Sequence, residues 1–432
     1  MDARDVSALA LRIQELEKEN ARLKAILDKN GIEYESLESK TYNSNRIEAA
    51  SVSICQFSLQ EKVSIFQSVF QGRDDVFAKR WYSSTTQKSG YQPVCKREWN
   101  REFCDKRKYK CADCPNRQFA PLTYNDVFNH LAGKDVWGRD VIGLYPIRKD
   151  NTCCFLCTDF DDKSCEHGYK NDVLSFVNVC KTWNVPCYIE RSRSGNGAHV
   201  WIFFDAPITA FKARKLGNAI LTEAMNSDVH LSFKSYDRFF PNQDTLPEGG
   251  LGNLVALPLQ GMARRKGNSV FVDENFNAYA DQWELLSQIR KLSEVELDML
   301  LRLHTVPTLG ELSKTSEAKP WETPQMDMMQ TDCYPKEIVL TRANMLYIPL
   351  ASLSAKCVNV FKRMAAFRNP EFYEKQGMRL STYNIPRIIS CSEITDDYLV
   401  LPRGCEDAVR DILTQHNVKV LISDKTNHGR SI

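Results

Sequence analysis

The chain has 432 residues, which is enough for two to four structural units with a real hydrophobic core. Hydrophobic residues make up 43% of it and the net charge is only +2, so this is a globular composition and any nucleic-acid surface must be local. No apolar stretch of 18 residues and no signal-peptide pattern occurs, which predicts a cytoplasmic protein with no membrane partner. The 15 cysteines are then expected to be reduced thiols or metal ligands rather than disulfides.

The first thirty residues carry a heptad pattern. Its a and d positions are Leu9, Ile13, Leu16, Asn20, Leu23 and Leu27. An asparagine at an a position favours a two-stranded coil, so residues 1–32 are predicted to form a coiled-coil helix that makes a homodimer through residues 9–27. The alternative is one amphipathic helix packed on its own chain. Residues 33–55 are polar without periodicity and are predicted to be a linker.

Residues 56–304 alternate helical and strand-like segments. Mixed or antiparallel strands joined by hairpins and covered by helices indicate an α+β domain. The segments that matter most are the predicted strands 153–158, 185–190, 198–204, 235–240 and 253–257, and the predicted helices 57–70, 172–182 and 209–225.

Four cysteines lie close together within residues 91–118. They are Cys95, Cys104, Cys111 and Cys114. Four thiolates can close a tetrahedral Zn²⁺ site, and the final Cys-x-x-Cys has the spacing of a zinc knuckle. A structural zinc site is therefore predicted, because four protein ligands leave no open position for chemistry. The alternative is four unrelated reduced cysteines.

Several residues of this domain are candidates for contacting nucleic acid, because Lys and Arg neutralise phosphates and aromatic rings stack on bases. The basic candidates are Arg73, Arg80, Lys106, Arg107, Lys108, Lys110, Arg264, Arg265 and Lys266. Trp81 or Tyr82 is the candidate for base stacking. Helix packing is the alternative for Trp81, and a solvated turn is the alternative for the three basic residues at 264–266.

Asp159 and Asp161 close the apolar run of the predicted strand 153–158. Residues two apart in a strand point to the same face, so the carboxylates are expected roughly 6–7 Å apart along one side. Hard cations such as Mg²⁺ and Mn²⁺ take carboxylate oxygens and usually bind phosphate as well. Burying such a pair is costly without a cation, so both are predicted to be catalytic metal ligands. A plain surface turn is the alternative for an Asp-x-Asp pair.

The second motif is the segment Glu190-Arg-Ser-Arg-Ser-Gly-Asn-Gly-Ala-His199. Its candidates for holding nucleotide phosphates are Arg191, Arg193, Ser194, Gly195, Asn196, Gly197 and His199. Arginines can pair with phosphate in bidentate fashion, and a glycine turn lets the backbone approach a triphosphate. A hairpin turn with solvated arginines is the alternative. Together, the aspartate pair and this loop predict nucleotidyl transfer.

A two-metal site needs a third carboxylate. Asp237 and Asp244 both follow at a suitable distance in the sequence, and their spacing alone does not decide between them.

The rest of the chain is predicted to be a linker and a small module. Residues 305–335 contain several prolines and are predicted to be a linker. Residues 336–432 are predicted to form a C-terminal α/β module that ends in a strand–helix–strand unit over 398–401, 405–416 and 418–422. No Walker-type phosphate-binding motif of an ATPase motor occurs.

Three strings resemble the motifs of archaeo-eukaryotic primases: Thr158–Asp161, Ser194–His199 and Tyr236–Asp244. The match is closest to the subgroup of bacterial TOTE conflict systems and CRISPR-associated primase-polymerases. Gly72–Phe77 and Gly249–Gln260 support it, and the similarity spans roughly residues 57–300. The resemblance implies an RRM-like catalytic sheet with a zinc-binding insertion, and template-directed polymerisation that often includes de novo primer synthesis.

Carried over by position, Asp159 and Asp161 become metal ligands of the first motif. Ser194 and His199 become the phosphate contacts of the second, and Asp237 or Asp244 becomes the acid of the third. The resemblance implies two catalytic Mg²⁺ or Mn²⁺ ions, a single-stranded DNA template with a primer, dNTPs or NTPs, and a helicase or a CRISPR or conflict-system partner. A segment at 399–404 resembles the lead-in to the helicase of larger TOTE proteins.

The leading hypothesis is a DNA-templated primase-polymerase that acts in mobile-element or phage defence or in DNA repair. The first alternative is a metal-dependent nuclease that uses the same carboxylates, although a nuclease needs no triphosphate-binding loop. The second alternative is a non-catalytic module in which the zinc knuckle and the coiled coil bind nucleic acid or a partner.

Overall fold

The computed structural model describes Lys18 and Arg22, which are both helical and exposed, and most of the chain after residue 56. The described ranges are 57–109, 111, 114–161, 168–231, 238–304, 334–378, 380, 382 and 385–427. Contacts divide the chain into two compact units, Met1–Ile54 and Cys55–Ile432. Several predictions lie outside the described residues: the a and d positions of the coiled coil, the linker 33–55, Lys110, Asp237 and most of the linker 305–335.

The described residues between 57 and 304 form an α+β domain, as predicted. Its helices are α1 (Leu59–Val69), α2 (Tyr124–Ala132), α3 (Tyr169–Thr182), α4 (Ala210–Met225), α5 (Gly261–Arg265), α6 (Gln282–Ser287) and α7 (Glu294–Leu303). Its strands are β1 (Ala78–Tyr82), β2 (Ser89–Pro93), β3 (Ile142–Leu144), β4 (Thr152–Asp161), β5 (Tyr188–Arg191), β6 (Gly197–Thr209), β7 (Phe239–Phe240), β8 (Val255–Ala256) and β9 (Val270–Val272). They form two antiparallel sheets with the orders β2-β1-β3-β8 and β7-β4-β6-β5-β9.

Local sequence signals explain where the helices begin. Ser58 and Glu61 form a reciprocal capping box at the start of α1, and Ser293 and Glu296 form another at the start of α7. Each box satisfies backbone N–H groups that the first turn of a helix leaves without partners. α2 ends at Gly133, whose positive φ of 58° suits glycine.

The long strands β4 and β6 are covered on both faces. On one face Trp201 packs against Phe155 and against Phe70, which follows α1, and the ring centroids of Phe70 and Trp201 are 5.2 Å apart. On the other face Phe160 packs against Phe176 of α3, with ring centroids 5.8 Å apart. Burial on both sides explains the continuous apolar run of β4, since a strand with one solvent-exposed face would alternate apolar and polar residues.

The residues after 334 form a second sheet with its own helices. Its elements are β10 (Glu337–Arg342), β11 (Leu346–Pro349), α8 (Ala355–Met364), β12 (Ala366–Arg368), α9 (Pro370–Gly377), β13 (Ile388–Ser390), β14 (Glu393–Ile394), β15 (Tyr398–Leu401), α10 (Glu406–Gln415) and β16 (Lys419–Asp424). The sheet order is β14-β15-β11-β10-β16, and β12 pairs with β13 separately. The predicted strand–helix–strand unit is present as β15-α10-β16, with β11 and β10 between its two strands. No described helix is both long and apolar enough to cross a bilayer.

Buried polar groups of α8 join this sheet to the α+β domain. Lys362 is only 6% exposed, and its Nζ donates to the carbonyls of Leu231, at 3.0 Å, and Val229. Asn359 donates to the carbonyl of Thr222 at 3.3 Å. Because buried polar groups need partners, these bonds specify how α8 packs on the end of α4 and on the segment that follows it.

Candidate active site

One row of charged residues crosses the central sheet. Strand register places Glu190 of β5 opposite His199 of β6, and His199 opposite Asp159 of β4. The backbone N–H of Asp159 donates to the carbonyl of Arg238, immediately before β7, at 3.0 Å. Residues directly opposite each other share a face of the sheet. Four side chains of alternating charge therefore lie side by side on one face: Glu190 of β5, His199 of β6, Asp159 of β4 and Arg238, which precedes β7.

His199 is held in one orientation by the buried carboxylate of Glu190. Its Nδ1 lies 2.8 Å from Glu190 Oε2, and the indole N–H of Trp201 donates to the same oxygen at 3.0 Å. The other ring nitrogen faces Asp159, with 3.6 Å between Nε2 and Oδ1. Burial lowers the pKa of His199, but the charge and hydrogen bond of Glu190 and the charge of Asp159 outweigh it and raise the pKa to about 9. This raised pKa favours the imidazolium form of His199 at neutral pH.

Arg238 contacts both predicted metal ligands. Its Nη1 lies 3.5 Å from Asp159 Oδ2 and 3.2 Å from Asp161 Oδ2. The two carboxylates therefore do converge on one cation, as the two-residue strand period predicts. Arg238 was not predicted from sequence. Its place follows only from the register of β7 against β4, although it lies beside Asp237 in the third motif.

The loop between β5 and β6 is a tight turn. Gly195 has a φ of +85°, and its N–H donates to the carbonyl of Ser192 at 3.0 Å. The hydroxyl of Ser194 lies 3.1 Å from that of Ser192 and accepts the N–H of Asn196 at 3.3 Å. The predicted glycine turn is therefore present, and it places Ser194 and the following amides within a few residues of His199.

The two arginines of this loop differ. Arg191 donates through Nη1 to the carbonyl of Gly267 at 2.7 Å and through Nη2 to the carbonyl of Phe276, so its guanidinium ties the loop to the segments flanking β9. Arg193 is exposed at the turn. Of the two, Arg193 is the one that the structure leaves facing solvent for a phosphate contact.

Gly197 permits the close approach of β6 to β4 beside the aspartates. A Cβ on this residue would lie 2.6 Å from the carbonyl oxygen of Phe160 and 3.2 Å from the Cα of Asp161. Both neighbours are backbone atoms, which cannot move aside as a flexible side chain would. A glycine is therefore required for the strand register that places His199 opposite Asp159.

A family model for the archaeo-eukaryotic primase domain of TOTE conflict systems matches residues 61–300, more than half of the chain. This chain belongs to that family. Proteins with this primase domain are generally nucleotidyltransferases, so nucleotidyl transfer in a conflict system is the activity that the family supports. A search of curated proteins found no match.

The structure does not bring Asp244 to the aspartate pair of the primase domain. Its carboxylate lies 3.5 Å from Arg214 Nη1 and 3.8 Å from Arg387 Nη1, and it accepts the side-chain N–H of Gln376 at 3.1 Å. Within the described ranges, no three His, Cys, Asp or Glu side chains are grouped closely enough to hold a metal ion. Asp244 therefore joins the primase domain to the C-terminal module. Asp237 lies outside the described residues, so the acid of the third motif stays a prediction.

Replacing Asp244 by asparagine is expected to lower stability rather than metal binding. The two guanidinium groups are nearly buried, with side-chain exposures of 1% for Arg214 and 2% for Arg387. Removing the charge that faces them should lower the free energy of unfolding by about 3 kcal/mol. Chemical denaturation measures this, with E371Q at an exposed ion pair as the control, expected within about 0.5 kcal/mol of wild type. A D244N protein of normal stability that loses Mn²⁺ binding would contradict the assignment.

The four predicted zinc ligands line one small cavity of about 30 Å³. Cys95 Sγ accepts the backbone N–H of Gln118 at 3.4 Å, and burial raises the pKa of Cys111. The thiols share one cavity, yet they are not close enough to form a metal-ligand group within the described part of the chain. Their common cavity suits the predicted zinc knuckle, which stays a prediction.

The predicted nucleic-acid contacts fall into two groups. The guanidinium of Arg73 is engaged by Asp75 and the carbonyl of Gly250, and that of Arg265 donates to the carbonyls of Ala132 and Gly133. Both guanidinium groups are therefore bonded within the chain; Arg73 is buried, whereas Arg265 is exposed. Three basic side chains in turns are exposed: Arg107, Lys108 and Lys266. Arg264 is half-buried, and Lys106 forms an ion pair with Glu98. Arg80 donates to the carbonyl of Trp137.

Proposed function

We propose that this chain is a DNA-templated primase-polymerase, which transfers nucleotides from dNTPs or NTPs to a primer 3′-hydroxyl or an initiating nucleotide. The observation that carries the proposal is the convergence of Asp159 and Asp161 on one positive group, next to an immobilised His199 and a glycine turn. The family name supports a conflict system as its setting. Its target there would be mobile elements or phage, and DNA repair is the alternative.

The residues present fit a divalent cation. Two carboxylates share the guanidinium of Arg238, so a cation bound between them would take the place of this positive group. Carboxylate oxygens are the ligands that Mg²⁺ and Mn²⁺ prefer. When bound, such ions would activate the attacking hydroxyl and stabilise the charge of the departing pyrophosphate.

The side chains and amides of this site would contribute to the reaction by positioning the phosphates of the incoming nucleotide. Glu190 and Trp201 keep the imidazole of His199 in place, and its charge suits a phosphate oxygen of the incoming nucleotide. Ser194 and the amides of the turn supply neutral donors beside it. Because these groups are ordered before substrate binds, little reorganisation remains for the chemical step.

Two accessory roles belong to this proposal. Cys95, Cys104, Cys111 and Cys114 would hold a structural Zn²⁺ that orders the basic segment around them. Residues 9–27 would dimerise the chain, and a helicase or another conflict-system protein would act beside it.

The experiment is an extension assay on a single-stranded DNA template with labelled nucleotides, Mn²⁺ and Mg²⁺, with and without a primer. Template-dependent products are expected, and their absence under every metal condition would contradict the proposal. A second arm with labelled DNA, Mn²⁺ and no nucleotides tests for a nuclease, whose signature would be degradation. Saturable nucleotide binding that is lost in H199A would count against the non-catalytic alternative.

Removing the positive charge of Arg238 is expected to strengthen metal binding. The guanidinium competes with any cation for Asp159 and Asp161, so R238Q should bind Mn²⁺ about tenfold more tightly, as measured by calorimetric titration. R290Q, at an exposed ion pair with Glu296, is the matched control and should bind as wild type does. Unchanged or weaker Mn²⁺ binding by R238Q would show that Arg238 does not occupy the cation position.

A further inference from the structure

A partly exposed aromatic stack lies on the second sheet of the primase domain. The rings of Tyr82 and Trp137 are nearly parallel, with an interplanar angle of 12° and centroids 4.9 Å apart. Trp137 is 47% exposed, although most tryptophans of a folded core are covered. The guanidinium of Arg80 lies 5.8 Å from the ring centroid of Tyr82 and donates to the carbonyl of Trp137 at 2.5 Å. We call Arg80, Tyr82 and Trp137 the aromatic platform.

The platform is fixed before any ligand binds. Arg80 and Tyr82 are two apart on β1, so they share a face, and β1 is paired with β2 along its whole length. The backbone N–H of Trp137 donates to Asp135 Oδ1 at 2.9 Å, which anchors the loop that carries the indole. A rigid ring loses little conformational freedom when a second ring stacks on it.

Arg193 connects the platform to the candidate active site. Register places Arg80 opposite Tyr91 of β2. Burial raises the pKa of Tyr91, and the positive charges of Arg193 and Arg80 both oppose that rise. Burial and the positive charge of Arg193 lower the pKa of Arg80. A ligand on the platform would therefore have two positive groups beside it, one of them from the predicted phosphate-binding loop.

We propose that the aromatic platform binds a nucleobase, with the adjoining phosphate beside Arg193. Every base has a flat face that stacks on an indole, whereas only a nucleotide also carries the negative charge that suits the two arginines. The base comes either from the single-stranded template or from the incoming nucleotide. This inference rests on the proposed function for its substrate class, and it assigns Trp137, which no motif of the sequence points to.

The test is fluorescence anisotropy with two labelled oligonucleotides of equal length, one of thymidines and one without bases, in wild type, W137A and W137F. W137A should bind the thymidine strand about tenfold more weakly and the abasic strand with unchanged affinity, because only the base is lost from the contact. W137F should stay within threefold of wild type. F367A removes an aromatic residue of similar exposure, 49%, and should change neither affinity.

A second arm titrates a non-hydrolysable dATP analogue in the presence of Mn²⁺. Selective weakening of this analogue in W137A assigns the platform to the incoming nucleotide, and selective weakening of the strand assigns it to the template. Thermal unfolding reports whether W137A is folded. If it is not, thymidine-dependent quenching of tryptophan fluorescence, present in wild type and reduced in W137F, supports the same conclusion.

Equal affinity of wild type and W137A for both base-containing ligands would overturn the inference, and so would equal quenching of wild type and W137F. These binding results do not depend on catalysis. A wild-type protein that extends primers while W137A binds normally would refute the platform alone, whereas loss of binding in W137A without any extension by wild type would refute the polymerase alone.

Discussion

Replacing Asp159 or Asp161 by asparagine is expected to lower the rate of nucleotide incorporation by about a thousandfold or more. Each substitution keeps the shape of the side chain and removes one of the two charges that converge on a single cation. A bound divalent ion supplies several kcal/mol of transition-state stabilisation, and each 1.36 kcal/mol corresponds to a factor of ten in rate. Single-turnover extension of a labelled primer at saturating nucleotide measures the effect.

The matched control is D205N, which alters an exposed aspartate of β6, the neighbouring strand. It should extend primers within about twofold of wild type. Mn²⁺ titration of D159N and D161N separates the steps, because both variants should also bind the metal more weakly. An Asp161 variant with normal extension would show that this carboxylate is not part of the reacting centre.

The second large effect is expected from E190Q, which should lower kcat by about 10- to 100-fold. The carboxylate of Glu190 is nearly buried and accepts from both His199 and Trp201. An amide keeps the volume, and its oxygen can still accept from His199 and Trp201, but it loses the negative charge that stabilises the imidazolium form of His199. Replacing the hydrogen-bond partner that orients a metal-bound histidine typically costs about 10- to 100-fold, and we expect a similar loss for His199.

The W201F variant distinguishes an effect on the orientation of His199 from an effect on the stability of the fold. It removes the other donor to Glu190 and leaves the contact with His199 intact, so kcat should stay within about threefold of wild type. Its loss of packing and of a buried hydrogen bond should lower the free energy of unfolding by about 1–3 kcal/mol, as measured by denaturant titration. If W201F lost as much activity as E190Q at a temperature where both are folded, the effect would lie in the core and not in His199.

The sequence by itself determined the elements that depend on local pattern. The apolar run before Asp159 predicted a buried strand, and the two-residue period predicted that Asp159 and Asp161 share a face; the structure contains both. The glycine turn before His199 was also predictable, because glycine at a positive φ leaves a clear mark in sequence. The family motifs near residues 158–161, 194–199 and 236–244 predicted the primase family that the family model identifies.

Only the tertiary structure decided which charged side chains meet. Arg238 reaches the aspartates because β7 pairs with β4 in one register, and Asp244, six residues later, is directed instead to two buried arginines of other elements. Arg191 and Arg193 have the same side chain in one loop, yet one is bonded to backbone carbonyls and the other is exposed. Sequence spacing specifies the face of a strand, whereas the partner across it depends on pairing between segments far apart in the chain.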